Sequence, residues 1–405
     1  MKRIPTESPT AYDFLLRGME AAFRAQNETN KEANLQARQM FERAIGLDPQ
    51  YATAYAGLGW TYWHEWLFQW SQDPQTLGRA EELARKALAL DDTLPEAHHL
   101  LSIVYGLKNQ PELALAEVER VIVLAPSDAD AHSTLASVLI RLERPAEAIR
   151  AAEQALRLHP RARFWYSWHL GRAYRLLGRY EEAIAAQQQA LLGNPNSLFP
   201  YLDLVLYYGE AWLSQRRQDP RTLEQALEAA RQAVTLDTSS PWGHVALGRA
   251  YLLHKQYDQA EVEVNKVLAP NSGIAVIAPA FVAELLNWVG RPEEAIRVME
   301  QALHRDPRPP TLYFLPLGQA YYLTGRMEEA IEPLQRLYPH RVDARVLLAA
   351  IYSEMGREHE ARAEAAEVLR LNPRYSLEVM RQRWPSKDPA QLERLLTALR
   401  KTGLK

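Results

Sequence analysis

Histidine comes nearest to a metal-ligand pattern, since His98, His132 and His244 each stand three residues before a leucine (Leu101, Leu135, Leu247). Tyr55 and Tyr201 hold the same slot before Leu58 and Leu204. A partly polar, aromatic-sized core position accounts for all five, so no metal site is expected. The carboxylate pairs Glu181-Glu182, Glu293-Glu294 and Glu328-Glu329 could in principle divide acid and base roles. Each opens a helical stretch, however, where negative charge suits the positive end of the helix dipole. Cysteine is absent, which excludes disulfides, thiolate metal sites and cysteine nucleophiles. There is also no phosphate-binding loop, nucleophile elbow or HExxH stretch, so neither catalytic residue nor cofactor is expected.

The chain has 405 residues, 47% of them hydrophobic and 24% charged, enough apolar material to bury a core. Lys and Arg number 47 against 50 Asp and Glu, so no overall positive field exists to attract nucleic acid or an anionic membrane. The start, Met1 to Asp13, lacks the apolar core of a signal peptide. The most apolar stretch, Gly273 to Ala283, is too short to cross a bilayer. A soluble cytoplasmic protein with neither nucleic acid nor membrane as partner is the expectation.

Repetition organises the sequence. An apolar-small pair recurs at Leu58-Gly59, Leu101-Ser102, Leu135-Ala136, Leu170-Gly171, Leu247-Gly248, Val282-Ala283, Leu317-Gly318 and Leu348-Ala349, mostly 34 or 35 residues apart. Five of these pairs are followed 25 residues later by a proline: Pro126, Pro160, Pro195, Pro307 and Pro373. Each period reads as two helices. Small residues let them approach, and Tyr62, Tyr105, Tyr174, Tyr251, Tyr321 and Tyr352 fill the space beside them. Gly178, Gly290, Gly325 and Gly356 fall where the first helix should end in a left-handed residue. A proline then closes the second helix.

Ten helix pairs are expected over 11–375, beginning near residues 11, 52, 95, 129, 163, 198, 241, 274, 310 and 344, after a short extension at 1–10. Two periods are long, with matching insertions at Gln72 to Leu77 and Gln218 to Leu223, in which Asp73-Pro74 and Asp219-Pro220 read as N-cap and first helical residue. Asn27 to Asn30 reads as a loop or as lengthening of the first pair, and Pro333 should kink the ninth pair's second helix. Residues 376–405 hold two amphipathic helices interrupted by Pro385 and Pro389, expected to cap the last pair.

In the seventh period, His244-x2-Leu247-Gly248-x2-Tyr251 followed by Ala260-x3-Val264 resembles the tetratricopeptide repeat, and the resemblance extends over essentially the whole chain. More narrowly, Pro5-Thr6-Glu7, Ala11-Tyr12-Asp13, Phe41 to Ile45, Tyr51 to Gly59, Asn372 to Glu378 and Lys387 to Leu396 resemble two kinds of array. These are the C-terminal arrays of bacterial class III adenylate and guanylate cyclases and those of winged-helix regulators. Neither a cyclase domain nor a winged helix stands before the repeats here, so no activity is carried over. A separately encoded array and a piece of a larger protein both remain open. The resemblance implies an all-α, right-handed superhelical solenoid whose concave wall, lined by first helices, holds a peptide or protein segment.

Inward-facing turns of such first helices should include Trp60, Trp63, Phe164, Trp168, Arg172, Arg175, Trp242, Arg249, Asn287, Gln319 and Tyr322. Aromatics there would anchor an apolar side chain, and arginines would grip a carboxylate or carbonyl; packing between repeats is the alternative for each. The aromatic-dense stretch Tyr51 to Trp70 has the same two readings, an exposed ledge for a partner helix or packing against the first pair's extension. Co-chaperone relatives that clamp acidic C-termini carry Lys and Asn where this chain has Trp60, Ile103 and Ser137, which disfavours that function. The expected function is therefore a noncatalytic interaction scaffold for a protein or peptide, regulating a cyclase or transcription effector by resemblance. The rival is a self-association module, a possible homodimer, whose groove holds another copy or its own tail. Sensing of a small ligand draws only on aromatic richness.

Overall fold

Proline opens helix after helix in this chain, because its missing N–H falls where no intrahelical acceptor exists anyway. Pro95, Pro111, Pro145, Pro241, Pro279 and Pro389 all stand at such starts. The computed structural model describes residues 6–405 apart from 29, 69, 72, 161–163, 216, 218, 220, 270–277, 306–308 and 338–340. Among the described residues it contains twenty-two α-helices, one 3-10 turn and no strand. The chain divides into two compact units, Met1–Ala162 and Arg163–Lys405.

The first unit holds four antiparallel pairs: α1 (Pro9–Glu28) with α2 (Lys31–Leu47), α3 (Ala52–Leu67) with α4 (Thr76–Leu90), α5 (Pro95–Leu107) with α6 (Pro111–Leu124), and α7 (Ala129–Arg141) with α8 (Pro145–Leu158). The residues from Asn27 on lengthen the first pair, and Asn30 caps α2 by accepting from the Ala33 N–H at 3.0 Å. Asp73-Pro74 departs from the expected cap. The Asp73 carbonyl and carboxylate accept from the backbone of Thr76 and Gln75, forming a turn, and α4 starts only at Thr76. Gln72, Gln218 and Pro220 lie outside the described residues.

The second unit holds α9 (Phe164–Leu176) with α10 (Tyr180–Gly193), α11 (Leu198–Leu213) with α12 (Arg221–Leu236), α13 (Pro241–Leu253) with α14 (Tyr257–Val267), and α15 (Pro279–Trp288) with α16 (Pro292–Arg305). It continues through α17 (Phe314–Leu323) with α18 (Met327–Gln335), then α19 (Val342–Glu354) with α20 (Glu358–Leu371), and ends in α21 (Leu377–Arg383) and α22 (Pro389–Lys401). A helix start near 274 and the Asp306-Pro307 stop lie outside the described residues. Helix α18 ends at Gln335, two residues past Pro333, which removes an N–H from the ladder.

Glycine stops the first helices as expected at Gly178, Gly290, Gly325 and Gly356, with φ between 66° and 84°. Where no glycine stands, Asn109, Glu143, Gln215 and Lys255 adopt the same left-handed conformation at φ 56–59°, a strain that tertiary packing sustains. The tyrosine-or-histidine slot is also structural. Tyr55, His98 and His132 each reach the carbonyl six residues back, at Pro49, Asp92 and Pro126, closing the preceding turn at 3.0–3.3 Å. His98 and His244 add a 2.6 Å bond to Glu117 and Glu263 of the following helix.

Close helix approach is tightest at Gly318, where an added Cβ would lie 2.5 Å from Leu334 Cγ and 3.3 Å from the Ala330 carbonyl. Gly318→Ala is therefore expected to destabilise the second unit by about 1–3 kcal/mol through overpacking. The check is urea denaturation; an unchanged midpoint would show that α17 and α18 separate freely.

Candidate functional site

One repeat step along the chain carries a side chain from one first helix to the next, and this decides where the inferred groove residues go. In the first unit, Trp60 Nε1 on α3 donates to the Glu96 carbonyl at 3.1 Å, and His99 on α5 meets the Thr134 hydroxyl on α7 at 2.8 Å. Trp63 stands edge-on to Trp60, with ring centroids 5.1 Å apart, and its buried Nε1 has no hydrogen-bond partner among the described residues. Both tryptophans are half-buried, as are Ile103, Thr134 and Ser137. The aromatic stretch leans on the lengthened first pair: Arg38 of α2 lies 3.9 Å over the Tyr62 ring and pairs with Glu65 at 2.8 Å, while Asn34 donates to the Thr61 carbonyl.

In the second unit the same step builds a polar ladder. Trp168 on α9 donates to Asp203 on α11 at 2.7 Å, with Arg172 5.0 Å over the Trp168 ring. Arg175 grips Glu210 in a two-pronged bond of 2.7 and 2.9 Å. Arg249 on α13 pairs with Glu284 on α15 and lies 5.1 Å over Trp288. The Asn287 amide donates to the Pro316 carbonyl at 2.8 Å, and the Tyr322 hydroxyl to Glu354 at 2.8 Å. Phe164 and Trp242 are half-buried against Trp165 and Phe281. Arg249, Asn287, Gln319 and Tyr322 are buried. Spacing put these side chains in a groove as grips for a ligand; in the structure Arg175 and Arg249 are matched to carboxylates within the chain.

Sequence reasoning missed Glu210 and Glu284, although both stand one period after their arginines, so opposite charge at a separation of 35 was a readable signal. It also missed Arg341, for which no periodic signal exists. Arg341, at the start of α19, holds Asp343 at 2.5 and 3.0 Å and lies 3.6 Å from Glu210. These groups line a solvent-open cleft walled also by Tyr180, Trp288, Gln319, Tyr375 and Trp384. Since α11, α13, α15, α17 and α19 all contribute to it, first helices face the interior of this unit. Burial would raise the Glu210 pKa, but Arg175 and Arg341 outweigh it and hold the carboxyl down to about 2. Burial prevails at Glu284 and at Asp203, whose carboxyls are raised.

The last thirty residues close this interior. Gln215 exchanges two bonds with the Ser376 backbone at 2.8 and 2.9 Å, and just ahead of this segment Asn372 donates to the Ser214 carbonyl at 2.8 Å. Arg383 donates to the carbonyls of Trp212 and Arg217 and covers the Trp212 ring at 3.8 Å. The Lys387 N–H meets the Trp288 carbonyl, and Tyr257 donates to that of Ser386. Helix α22 lies on α19, with Ser353 donating to the Ala398 carbonyl and Arg394 pairing with Glu354. The tail thus does more than cap the last pair: it reaches back to α11 and covers the wall that carries Asn287, Gln319 and Tyr322.

Comparison with known proteins agrees with this geometry. Residues 127–191, 289–344 and 342–375 match models of the tetratricopeptide repeat. Over these stretches the chain carries tetratricopeptide repeats, and its all-α fold is that of the repeat solenoids. Cellulose synthase operon protein C of Pseudomonas fluorescens is 28% identical over 333 residues, 77% of this chain but 22% of that protein. Putative adenylate cyclase 3 of Rhizobium meliloti is 35% identical over 96 residues, 24% of this chain and 16% of the other. The chain therefore spans about a fifth or less of the length of these relatives. Among solved structures, the human IFIT1 dimer with PPP-AAAA superposes with a TM-score of 0.51 at 16% identity, covering 89% of this chain and 94% of that one. At that identity the likeness is one of fold. Among the described residues no helix is long and apolar enough to cross a membrane.

Proposed function

We propose that the chain is a noncatalytic docking scaffold that takes a protein or peptide segment on the first-helix wall of its N-terminal unit. The carrying observation is the asymmetry between the units' walls. In the second unit the wall is covered by residues 372–405, and its arginines are matched by Glu210, Glu284 and Asp343. In the first, Trp60, Trp63, Ile103 and Thr134, on three successive first helices, are partly buried, the two tryptophans packing against the core beside α3. Partly covered aromatic side chains still have apolar area to give to a partner. That the partner is a cyclase or transcription effector is the finer reading, supported by the partial likeness to a putative adenylate cyclase.

The test is affinity capture from the native lysate, comparing wild type with Trp60→Ala/Trp63→Ala, each checked for folding by its melting curve. A protein captured by wild type and at least tenfold depleted with the folded variant is the expected result, and a cyclase or transcription regulator as that protein would support the finer reading. Capture of the same proteins by both forms would overturn the docking site. The tail's seat on the second wall also favours the rival in one form, in which the groove is filled by the chain's own C-terminus. Capture of nothing but the chain itself would favour the rival's other form, self-association through a second copy.

A further inference from the structure

Helix α1 buries Ala11, Leu15, Ala21 and Ala25, yet leaves Tyr12, Leu16, Met19 and Phe23 exposed at 40, 47, 52 and 64%. Their spacing of four, three and four residues puts them on one continuous stripe. Single exposed apolar residues are ordinary; four aligned on one helix are a contact surface. Beside the stripe, at the same spacing, runs a second row of alternating charge: Asp13, Arg17, Glu20 and Arg24.

We propose that this face pairs antiparallel with α1 of a second copy of the chain. A two-fold axis across two antiparallel helices brings each flank against the same flank of the other copy. The order acid, base, acid, base becomes its own complement when read backwards, so Asp13 faces the partner's Arg24 and Arg17 faces the partner's Glu20. Within about 3 Å of that register along the axis, Tyr12 meets the partner's Phe23 and Leu16 meets the partner's Met19. A parallel pair would leave this charged row unmatched, and a strongly acidic or basic partner would meet a row of zero net charge. A single pair of helices about 30 Å long lies at the small end of stable interfaces, so the dimer is concentration-dependent. This inference is independent of the docking wall on α3, α5 and α7.

The experiment is sedimentation velocity on the full chain across a concentration series, using R17E/R24E and D13R/E20R. These positions are solvent-exposed, and the Asp13–Arg17 pair within the helix, at 53% and 63% exposure, adds little to stability, so both variants should keep the wild-type circular dichroism. Wild type is expected to dimerise. Each variant alone is expected to lose at least tenfold in dimer affinity, because like charges then face each other. An equimolar mixture of the two, with opposite rows, should recover the dimer. A wild type that stays monomeric, variants that dimerise as wild type does, or a mixture that remains monomeric would each overturn the proposal.

Discussion

Removal of residues 376–405 is expected to lower the melting temperature of the second unit by roughly 10 °C, with hydrogen-exchange protection lost most in α11, α15 and α19. The tail contributes Leu377, Met380, Leu392, Leu395, Leu396, Ala398, Leu399 and Leu404, each no more than 9% exposed. At about 1.5 kcal/mol or more for each larger buried side chain, the gross contribution is on the order of 10 kcal/mol. Chain entropy lost on ordering the tail opposes this burial, and net stability is the small difference between large opposing contributions. A net loss of a few kcal/mol corresponds to about 10 °C in a unit of this size. Truncation also uncovers the Trp212 and Trp288 carbonyls and leaves Gln215 without its two bonds across the unit. The first unit should keep its exchange protection. A truncated chain with an unchanged melting curve would mean that the tail rests on the wall without holding it.

The second large effect concerns Glu210. Glu210→Ala is expected to destabilise the second unit by about 3–5 kcal/mol, because it strips the carboxylate from Arg175 and leaves Arg341 with Asp343 alone. Glu210→Gln keeps the shape and removes the charge, and its signature is in pH. The folded carboxyl titrates at about 2, below its ordinary 4.5. A depressed carboxylate contributes stability that is complete above the unfolded pKa and is lost as pH falls from there through the folded one. The difference between wild type and Glu210→Gln should thus be flat near neutrality, roughly 3 kcal/mol at most, and shrink below about pH 4.5. Glu284 and Asp203 act in the opposite sense, since carboxyls raised by burial gain stability on protonation; Asp203 cancels in the difference, whereas Glu284, raised in part by the Glu210 charge, adds a smaller opposing slope. Urea denaturation at a series of pH values between about 7 and 3 measures it. A difference independent of pH would show that Glu210 carries no functional charge in the fold.

The repeat is the part of this protein that its sequence determined. Helix pairs, their glycine and proline ends and the small residues at the close contacts follow from local rules, because a helix stop or a tight approach depends on the few residues that make it. The Tyr/His slot was legible for the same reason: the carbonyl that Tyr55, His98 and His132 each meet lies only six residues back. Asp73-Pro74 misled because the dipeptide serves equally well as a helix cap or as a turn, and the bonds to Gln75 and Thr76 choose between them.

The fate of the groove residues was half legible. A period of 35 places Arg175 beside Glu210 and Arg249 beside Glu284, so the ladder could have been read by asking what stands one repeat on. What only the tertiary structure decided is the closure of the second unit. Arg341 meets Glu210, Ser376 meets Gln215, and Arg383 meets Trp212 across 131 to 171 residues of chain. Small rotations at each repeat accumulate until first helices far apart in sequence face one cavity. No local pattern encodes that sum, and it is this curvature that brings the tail onto the wall of the second unit.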